Sequence, residues 1–183
     1  MPAPIAVELN PHDPTWAEEA RYESARLSHT LGDALVTVHH IGSTAIPGIR
    51  AKPILDFIPE FATILALDET RGLLESLGYV WGGEYGLSGR RYCTLDDPST
   101  GRRRVQLHGY LTGSAEIVRH LAIRDFLRTR TDVARAYDAE KDRCRVLHPL
   151  DSHAYSDCKG AWIHRIQEEA MLAYLSAGRL VEN

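Results

Sequence analysis

The chain has 183 residues, of which 44% are hydrophobic and 25% are charged, values close to those of an average globular protein. This length suits one domain with a sizeable core, and we expect residues 1–183 to form that single domain. The formal charge of −4 and the lack of an apolar run of about 20 residues argue against nucleic acid and membrane as partners. No signal peptide is recognised, so the sequence predicts a cytoplasmic protein.

Hydrophobic periodicity and turn residues divide the first half of the chain into four elements. These are a helix at 13–31, strands at 34–41 and 53–58, and a helix at 68–77. We expect Asp13 and Asp68 to cap the two helices, because a short acidic side chain accepts hydrogen bonds from free amides of the first turn. The strand at 53–58 is apolar throughout except for Asp56, which places it in the centre of a sheet.

The second half of the chain begins with a β-rich region and ends in helices. Strands are predicted at 79–85, 90–95 and 103–110, separated by the turn-rich segments GLSG and DDPSTG. Helices are predicted at 115–130, 132–147 and 153–177, with Ser114, Asp132 and Ser152 as their caps. This order of elements predicts an α+β fold, a mixed β-sheet of about five strands with helices packed on it.

The cysteines are Cys93, Cys144 and Cys158. Their odd number and the lack of C-x-x-C spacing argue against a disulfide framework and against a zinc ribbon. We therefore expect free thiols in a reducing compartment.

The stretch HIGSTAIPGIRAKPILDF, residues 40–57, is glycine-rich, then basic, then apolar with one aspartate. A P-loop has four residues between its two glycines and a lysine directly after the second glycine. Here five residues separate Gly42 from Gly48, and Lys52 comes four residues after Gly48, so the stretch is not a P-loop. Pro47 and Pro53 also remove two of the amides that a phosphate cradle would use. A dinucleotide fingerprint is absent as well.

This stretch resembles the pattern of nucleotidyltransferases of the polymerase-β type. In that pattern a glycine and a glycine or serine end one strand, and two acids separated by one apolar residue lie on the next strand. Gly42 and Ser43 match the first part, and Asp56 begins the second. Glycine lets the backbone approach a triphosphate and serine adds a hydroxyl donor. Acids two apart on a strand face the same way and can hold two metal ions.

The longer string HIGSTAIPGIRAKPILD resembles the signature of the GrpB family, which belongs to this nucleotidyltransferase-like superfamily. The segments DPTW, QLHGY, HLAIRDFLR, AYDAEK and YSDCKGAWI resemble the same family, so the resemblance covers about residues 7–175. It implies a nucleotidyltransferase-like fold and a cleft suited to phosphate. The family's biochemical role is largely undefined, so the resemblance specifies the fold more closely than the activity.

The resemblance implies a site that binds a nucleotide or another small phosphorylated ligand. Asp56 would hold Mg or Mn, and His108 would be a second metal ligand or a base. The expected ligand-binding residues are Gly42, Ser43, Thr44, Lys52, Arg91, Lys141, Tyr155 and Lys159. If the protein is an enzyme, the expected reaction is metal-assisted transfer of a nucleoside monophosphate with loss of pyrophosphate.

Each of these residues also has a structural interpretation, which the sequence leaves open. Asp56 could accept hydrogen bonds from the turn at 42–44 or pair with Lys52. His108 could be hydrogen-bonded within the sheet. Lys141, Tyr155 and Lys159 could lie on helix surfaces, and they enter the site only through the resemblance.

The carboxylate set of the superfamily is incomplete in this sequence. Ile58 stands where the second acid is expected, and Glu60 follows Pro59, where we expect the strand to end. The strand at 103–110 presents Gln106, His108 and Tyr110 on one face, none of them acidic. Two other hypotheses therefore stand beside nucleotidyl transfer. One is a non-catalytic accessory or binding module, and the other is a metal-dependent hydrolase that uses Asp56 with His108.

Overall fold

The computed structural model of the protein describes residues 6–179. The helices are α1 (Thr15–Leu31), α2 (Ile64–Glu69), α3 (Arg71–Ser76), α4 (Ala115–Thr129), α5 (Thr131–Leu147) and α6 (Ser152–Arg179). The strands are β1 (Leu35–Ile41), β2 (Leu55–Phe61), β3 (Val80–Trp81), β4 (Arg91–Asp96) and β5 (Arg103–Leu111). None of the helices within residues 6–179 is long and apolar enough to cross a membrane.

The five strands form one sheet in the order β1-β2-β5-β4-β3. The β2–β5 pair is parallel and the other pairs are antiparallel, so the sheet is mixed and the predicted α+β fold is confirmed. The pairing of β1 with β2 shifts register between Leu35 and Thr37. Strand β2 lies inside the sheet, as its apolar sequence predicts.

Successive residues of β2 point to opposite sides of the sheet. Because both sides of β2 are apolar, helices cover both faces of the sheet. Phe57 packs on one side in a core that includes Trp16 and Leu27 of α1. Ile58 packs on the other side in a cluster that includes Ile117 and Leu121 of α4, the helix against which α6 lies. Asp56 therefore points to the same side of the sheet as α4 and α6.

The strand boundaries differ from prediction in two places. Strand β2 continues through Pro59 to Phe61, and Pro59 pairs with Val38 of β1. The ladder with β5 holds on both sides of the proline, at Phe57 and again at Glu60, so the missing amide does not end the strand. The strand predicted at 79–85 is reduced to β3, because the chain turns from residue 82 onward.

The predicted helix at 68–77 is two short helices, and Asp68 caps neither of them. Thr63 caps α2, accepting a hydrogen bond from the backbone N of Ala66 at 3.1 Å. Asp68 instead forms an ion pair with Arg91 of β4. At the start of α1, the side chain of Asp13 accepts a hydrogen bond from the backbone N of Thr15 at 2.9 Å.

The caps of the last three helices are partly as predicted. Ser114 caps α4, as expected, by accepting a hydrogen bond from the backbone N of Glu116. Asp132 lies inside the first turn of α5 and pairs with Arg130, so it is not a cap. The predicted cap Ser152 is the first residue of α6, and the preceding Asp151 accepts hydrogen bonds from the amides of residues 153 and 154.

The prediction of free thiols is wrong for two of the cysteines. Cys144 of α5 and Cys158 of α6 form a disulfide, with their Cα atoms 5.8 Å apart. The two helices follow each other through a short connection at 148–151, so residues at similar distances from that connection face each other. Cys93 is a buried free thiol, as predicted.

Candidate functional site

The turn after β1 packs directly against the carboxylate of Asp56. The antiparallel register pairs Ile41 with Asp56, which places Gly42 beside the aspartate. Gly42 has φ +72° and ψ −172°, a conformation that is nearly restricted to glycine. A Cβ at this position would lie 2.7 Å from Asp56 Oδ2. Gly42 is therefore required both by the backbone of the turn and by the close approach of Asp56.

Residues 43–45 form a single 3₁₀ turn after this glycine. The Thr44 hydroxyl lies 3.0 Å from His40 Nε2 and donates a longer hydrogen bond of 3.4 Å to the carbonyl of Ile54. Thr44 therefore ties the end of β1 to the chain entering β2. Ser43, in contrast, is left with its side chain at the edge of the cavity described below.

Asp56 makes a hydrogen bond neither to the turn amides nor to Lys52. Among residues 6–179, its hydrogen-bond partner is His108 of β5, with 3.4 Å between His108 Nε2 and Asp56 Oδ1. The His108 ring packs between those of Tyr92 and His120, with centroids at 5.4 Å and 6.2 Å. The Asp56 side chain keeps 28% of its surface exposed, so it remains open to a ligand.

No second acid converges on Asp56 within the described part of the chain. Ile58, at the expected position of that acid, is fully buried. Glu60 is on the same strand face but is paired with His39 at 3.0 Å. Glu84 faces Arg91 at 3.6 Å and accepts a hydrogen bond from the amide of residue 89.

A cavity of about 420 Å³ opens beside Asp56, between the sheet and helices α4, α5 and α6. It brings together most of the residues that the sequence singles out: Gly42, Ser43, Thr44, Lys52, Asp56, His108, Lys141, Tyr155 and Lys159. Arg91 is the exception. It lies outside the cavity, where it pairs with Asp68 at 2.5 Å and with Glu84.

Lys52 and Lys159 share one aromatic ring. Their ammonium groups lie 5.2 Å and 5.8 Å from the ring centroid of Tyr155, which is 2% exposed. Within residues 6–179, neither lysine has an acidic partner in an ion pair. Burial lowers the pKa of Lys52, and the charge of Lys159 lowers it further, while Asp56 raises it. The cavity thus holds two cations that no acid within the described part of the chain pairs with.

Lys141 is held more tightly than the other two lysines. It is 1% exposed, donates a hydrogen bond to the carbonyl of Arg50, and lies 3.6 Å from Asp138. Burial is the main reason that its pKa falls to about 8, and Asp138 partly offsets that effect. Lys141 therefore fixes the wall of the cavity where α5 meets the chain before β2.

Helix α4 supplies cavity residues that the sequence analysis did not assign to the site. Arg119 is paired with Glu116, and Arg124 is paired with Asp125 while donating to the carbonyl of residue 40. Burial and, to a smaller extent, the charge of the neighbouring Arg119 lower the pKa of His120 to about 3, so its imidazole is neutral at pH 7. The cavity is lined by one carboxylate, Asp56, and by five side chains that are lysine or arginine.

Comparison with known proteins identifies the family of the chain. Residues 6–169 match the sequence model of the GrpB protein family. The chain belongs to the GrpB family. A crystal structure of conserved protein GrpB from Enterococcus faecalis matches with a TM-score of 0.84 and 35% identity, over 92% of this chain and 99% of that one.

Two relatives show that GrpB sequences also occur within longer proteins. UPF0157 protein YqkA of Bacillus subtilis is 35% identical over 164 residues, which are 90% of this chain and 47% of YqkA. The chain thus spans about half the length of YqkA. A dephospho-CoA kinase of Mycobacterium leprae is 28% identical over 176 residues, covering 82% of this chain and 43% of the kinase.

The residues of this GrpB cavity do not fit the pair of divalent metal ions that the superfamily pattern implies. Such ions need several hard oxygen ligands, and Asp56 is the one carboxylate that lines the cavity. In residues 6–179, the group of three possible metal ligands that lies close enough together is Glu140 with Cys144 and Cys158, outside the cavity. Those two sulfurs are bonded to each other and are not thiolates.

One signal in the sequence could have located the site without any resemblance. Of the 21 lysine and arginine residues, three are lysines, and every other basic position is arginine. All three lysines line this cavity. The scarcity of lysine elsewhere therefore points to this cavity as the candidate site, whereas Arg119, His120 and Arg124 carry no comparable signal.

Proposed function

We propose that this GrpB-family protein binds a nucleotide or another small phosphorylated molecule in the cavity beside Asp56. The observation that carries the proposal is the charge of the lining, in which Lys52 and Lys159 have no ion-pair partner among residues 6–179, whereas Arg119, Arg124 and Lys141 are each paired with an acid. The protein as a whole has a formal charge of −4, so this positive lining is local. An anion is the ligand that such a lining favours.

The unpaired lysines give the strongest support. An ammonium group that is partly removed from water and has no acidic partner recovers only part of its lost hydration from the face of an aromatic ring. Phosphate oxygens would restore that interaction through charge-assisted hydrogen bonds to Lys52 and Lys159. Gly42 lets Asp56 approach the backbone of the turn, and Ser43 lines the cavity and offers a hydroxyl donor. The cavity volume of about 420 Å³ lies in the range of small-molecule sites.

A thermal-shift panel tests this proposal directly. It should contain nucleoside triphosphates, sugar phosphates and precursors of coenzyme A, the last because a relative is a dephospho-CoA kinase. A ligand at about 100 times its dissociation constant stabilises a protein by roughly 2.7 kcal/mol, which is easily measured. We expect at least one phosphorylated compound to raise the melting temperature, and its unphosphorylated counterpart to have no effect.

A matched pair of variants distinguishes the cavity from general charge effects. Lys159→Gln removes a cation from the cavity, whereas Arg102→Gln removes an arginine whose side chain is 71% exposed, outside the cavity lining. The ligand-induced shift should shrink in the first variant and persist in the second. An equal loss in both variants, or no shift with any compound, would contradict the proposal and favour an accessory module.

Metal-dependent nucleotidyl transfer is the second candidate. The contact between Gly42 and Asp56 favours it, because it places the glycine turn against the first acid as the superfamily pattern requires. The single carboxylate of the cavity opposes it. The test is pyrophosphate release from nucleoside triphosphates with Mg or Mn, which should disappear in Asp56→Asn if this candidate is correct.

A further inference from the structure

Every lysine of the chain lines the cavity, and the charges of two of them lie against the same aromatic ring. Lys52 comes from the segment before β2 and Lys159 from α6, yet their ammonium groups lie 5.2 Å and 5.8 Å from the centre of the Tyr155 ring. Tyr155 is buried against Val7 and the Cys144–Cys158 disulfide, so this ring is a fixed platform. Two like charges held on one buried ring need a counter-ion.

A divalent metal ion is a poor occupant of this place. It would find one carboxylate, and it would be repelled by Lys52 and Lys159. The residues beside Asp56 add no further acid, because its partner across the β2–β5 pair is Gln106 and its hydrogen-bond partner is His108. An anion with two or more charges is attracted by the same groups that repel a cation.

We infer that this cavity binds the phosphate of its ligand through Lys52 and Lys159 and does so without a divalent metal ion. The inference rests on the proposed function and adds how the charge of the ligand is balanced. In this arrangement Asp56 is a hydrogen-bond partner of His108, and its negative charge opposes the bound anion.

The inference also explains why positions 52 and 159 are lysine and not arginine. An ammonium group is a compact point charge, whereas a guanidinium group is a planar fork that needs more room. The chain has arginine at every other basic position. Two cations lie within 6 Å of the centroid of the one Tyr155 ring, at 5.2 Å and 5.8 Å, which suits compact groups. Lysine-to-arginine changes should therefore weaken binding although they preserve charge.

Trace acetylation with acetic anhydride, followed by mass spectrometry, is the test. The protein has only three lysine side chains, so each can be followed separately. The probes are ATP and inorganic pyrophosphate, each in excess EDTA and in excess Mg²⁺. We expect either probe to slow acetylation of Lys52 and Lys159 by fivefold or more in EDTA. Lys141, being buried, should react slowly with or without a probe.

Three variants test the roles of Lys52, Lys159 and Asp56, with ATP affinity measured by calorimetry in EDTA. Lys52→Arg and Lys159→Arg should each weaken ATP binding at least tenfold while keeping the melting temperature of the unliganded protein. Asp56→Asn should bind ATP at least as tightly as the wild type, because it removes the one negative charge of the lining.

Several results would overturn the inference. Protection that appears only with Mg²⁺ and is lost in Asp56→Asn would replace it with a metal site and leave the proposed function standing. ATP binding without protection of the two lysines would place the phosphate elsewhere. Full affinity in both arginine variants would exclude a requirement for lysine. If neither probe binds under any condition, the inference falls together with polyphosphate binding as the proposed function.

Discussion

Gly42 is the residue at which the backbone and the site constrain each other most closely. Its φ is +72°, and a Cβ added there would lie 2.7 Å from Asp56 Oδ2, so there is no room for a side chain. We expect Gly42→Ala to destabilise the fold by about 1–3 kcal/mol from backbone strain alone, with a further loss from the clash. Urea unfolding would measure the change.

Gly48 provides the matched control. It also has a positive φ, +79°, but a Cβ there would meet nothing within 4 Å. Gly48→Ala should therefore show the cost of a positive φ without a clash. If the two variants lose the same stability, the contact between Gly42 and Asp56 is not a constraint.

Two half-buried histidines, His40 and His120, should make the stability of the fold depend on pH. Burial lowers the pKa of His40 to about 4 and that of His120 to about 3. In the unfolded chain both have a pKa near 6.5, so below that pH the unfolded state takes up protons that the folded state does not. The free energy of unfolding should therefore decrease as the pH falls from about 6.5 towards 4.

Denaturant titrations at pH 7 and pH 5 would measure this loss, and a variant would assign it. Each unit of pKa difference corresponds to about 1.4 kcal/mol. His120→Gln should reduce the difference in stability between the two pH values. An unchanged difference in His120→Gln would show that His120 is not the group responsible.

For individual residues, the sequence predicts those parts of the candidate site that lie close together in the chain. Gly42, Ser43 and Asp56 fall within one short stretch, and the pattern of strand, glycine turn and strand is enough to bring them together. His120 and Arg124 lie on a helix that is distant in sequence, and only its packing on the sheet directs them at Asp56. Arg91 was expected in the site because basic side chains suit phosphate, but the position of Asp68 decides its actual partner.

Hydrophobic periodicity predicts the positions of the helices and strands better than candidate capping residues predict where the helices begin. The long helices α1, α4, α5 and α6 lie close to their predicted positions, since each has an apolar face to bury. Asp68 and Asp132 illustrate why caps fail: an acidic side chain near a helix start can pair with an arginine that the sequence does not place nearby. Pro59 was expected to end β2, but pairing with neighbours on both sides carries the strand past it.

The Cys144–Cys158 disulfide joins α5 to α6 and could not be expected from cysteine spacing. The two cysteines are 14 residues apart in sequence, which places them on facing turns of consecutive helices. In the chain-entropy description, closing a loop of about 15 residues stabilises a fold by about 3 kcal/mol. We expect reduction with dithiothreitol to lower the free energy of unfolding by an amount of this order.

Urea unfolding with and without the reductant would measure that loss, and a variant provides the control. Cys158→Ser should be as unstable as the reduced wild type and should not respond to dithiothreitol. Thiol titration of the unfolded, unreduced protein should find one free thiol, that of Cys93. Three free thiols in freshly purified protein, with no effect of reductant, would contradict the bond.

For the whole molecule, the important fact is that the cavity is assembled from distant parts of the chain. Its lining extends from the β1–β2 connection through β5 and α4 to α6. A ligand that binds there should slow hydrogen exchange in all these segments together, because each must be in place for binding. Hydrogen–deuterium exchange with mass spectrometry would show this. Protection confined to the turn at 42–45 would mean that binding requires only the local motif.

The two edge strands of the sheet, β1 and β3, affect whether copies of this protein can aggregate through strand addition. A long, straight outer strand exposes a row of free amides and carbonyls on which another chain can add a strand. Here β3 is only two residues long, and β1 changes register near its start, between Leu35 and Thr37. Such an irregularity bends and twists a strand, which makes it a poor template. Concentrated solutions of the protein should therefore resist growth into β-aggregates from either side of the sheet.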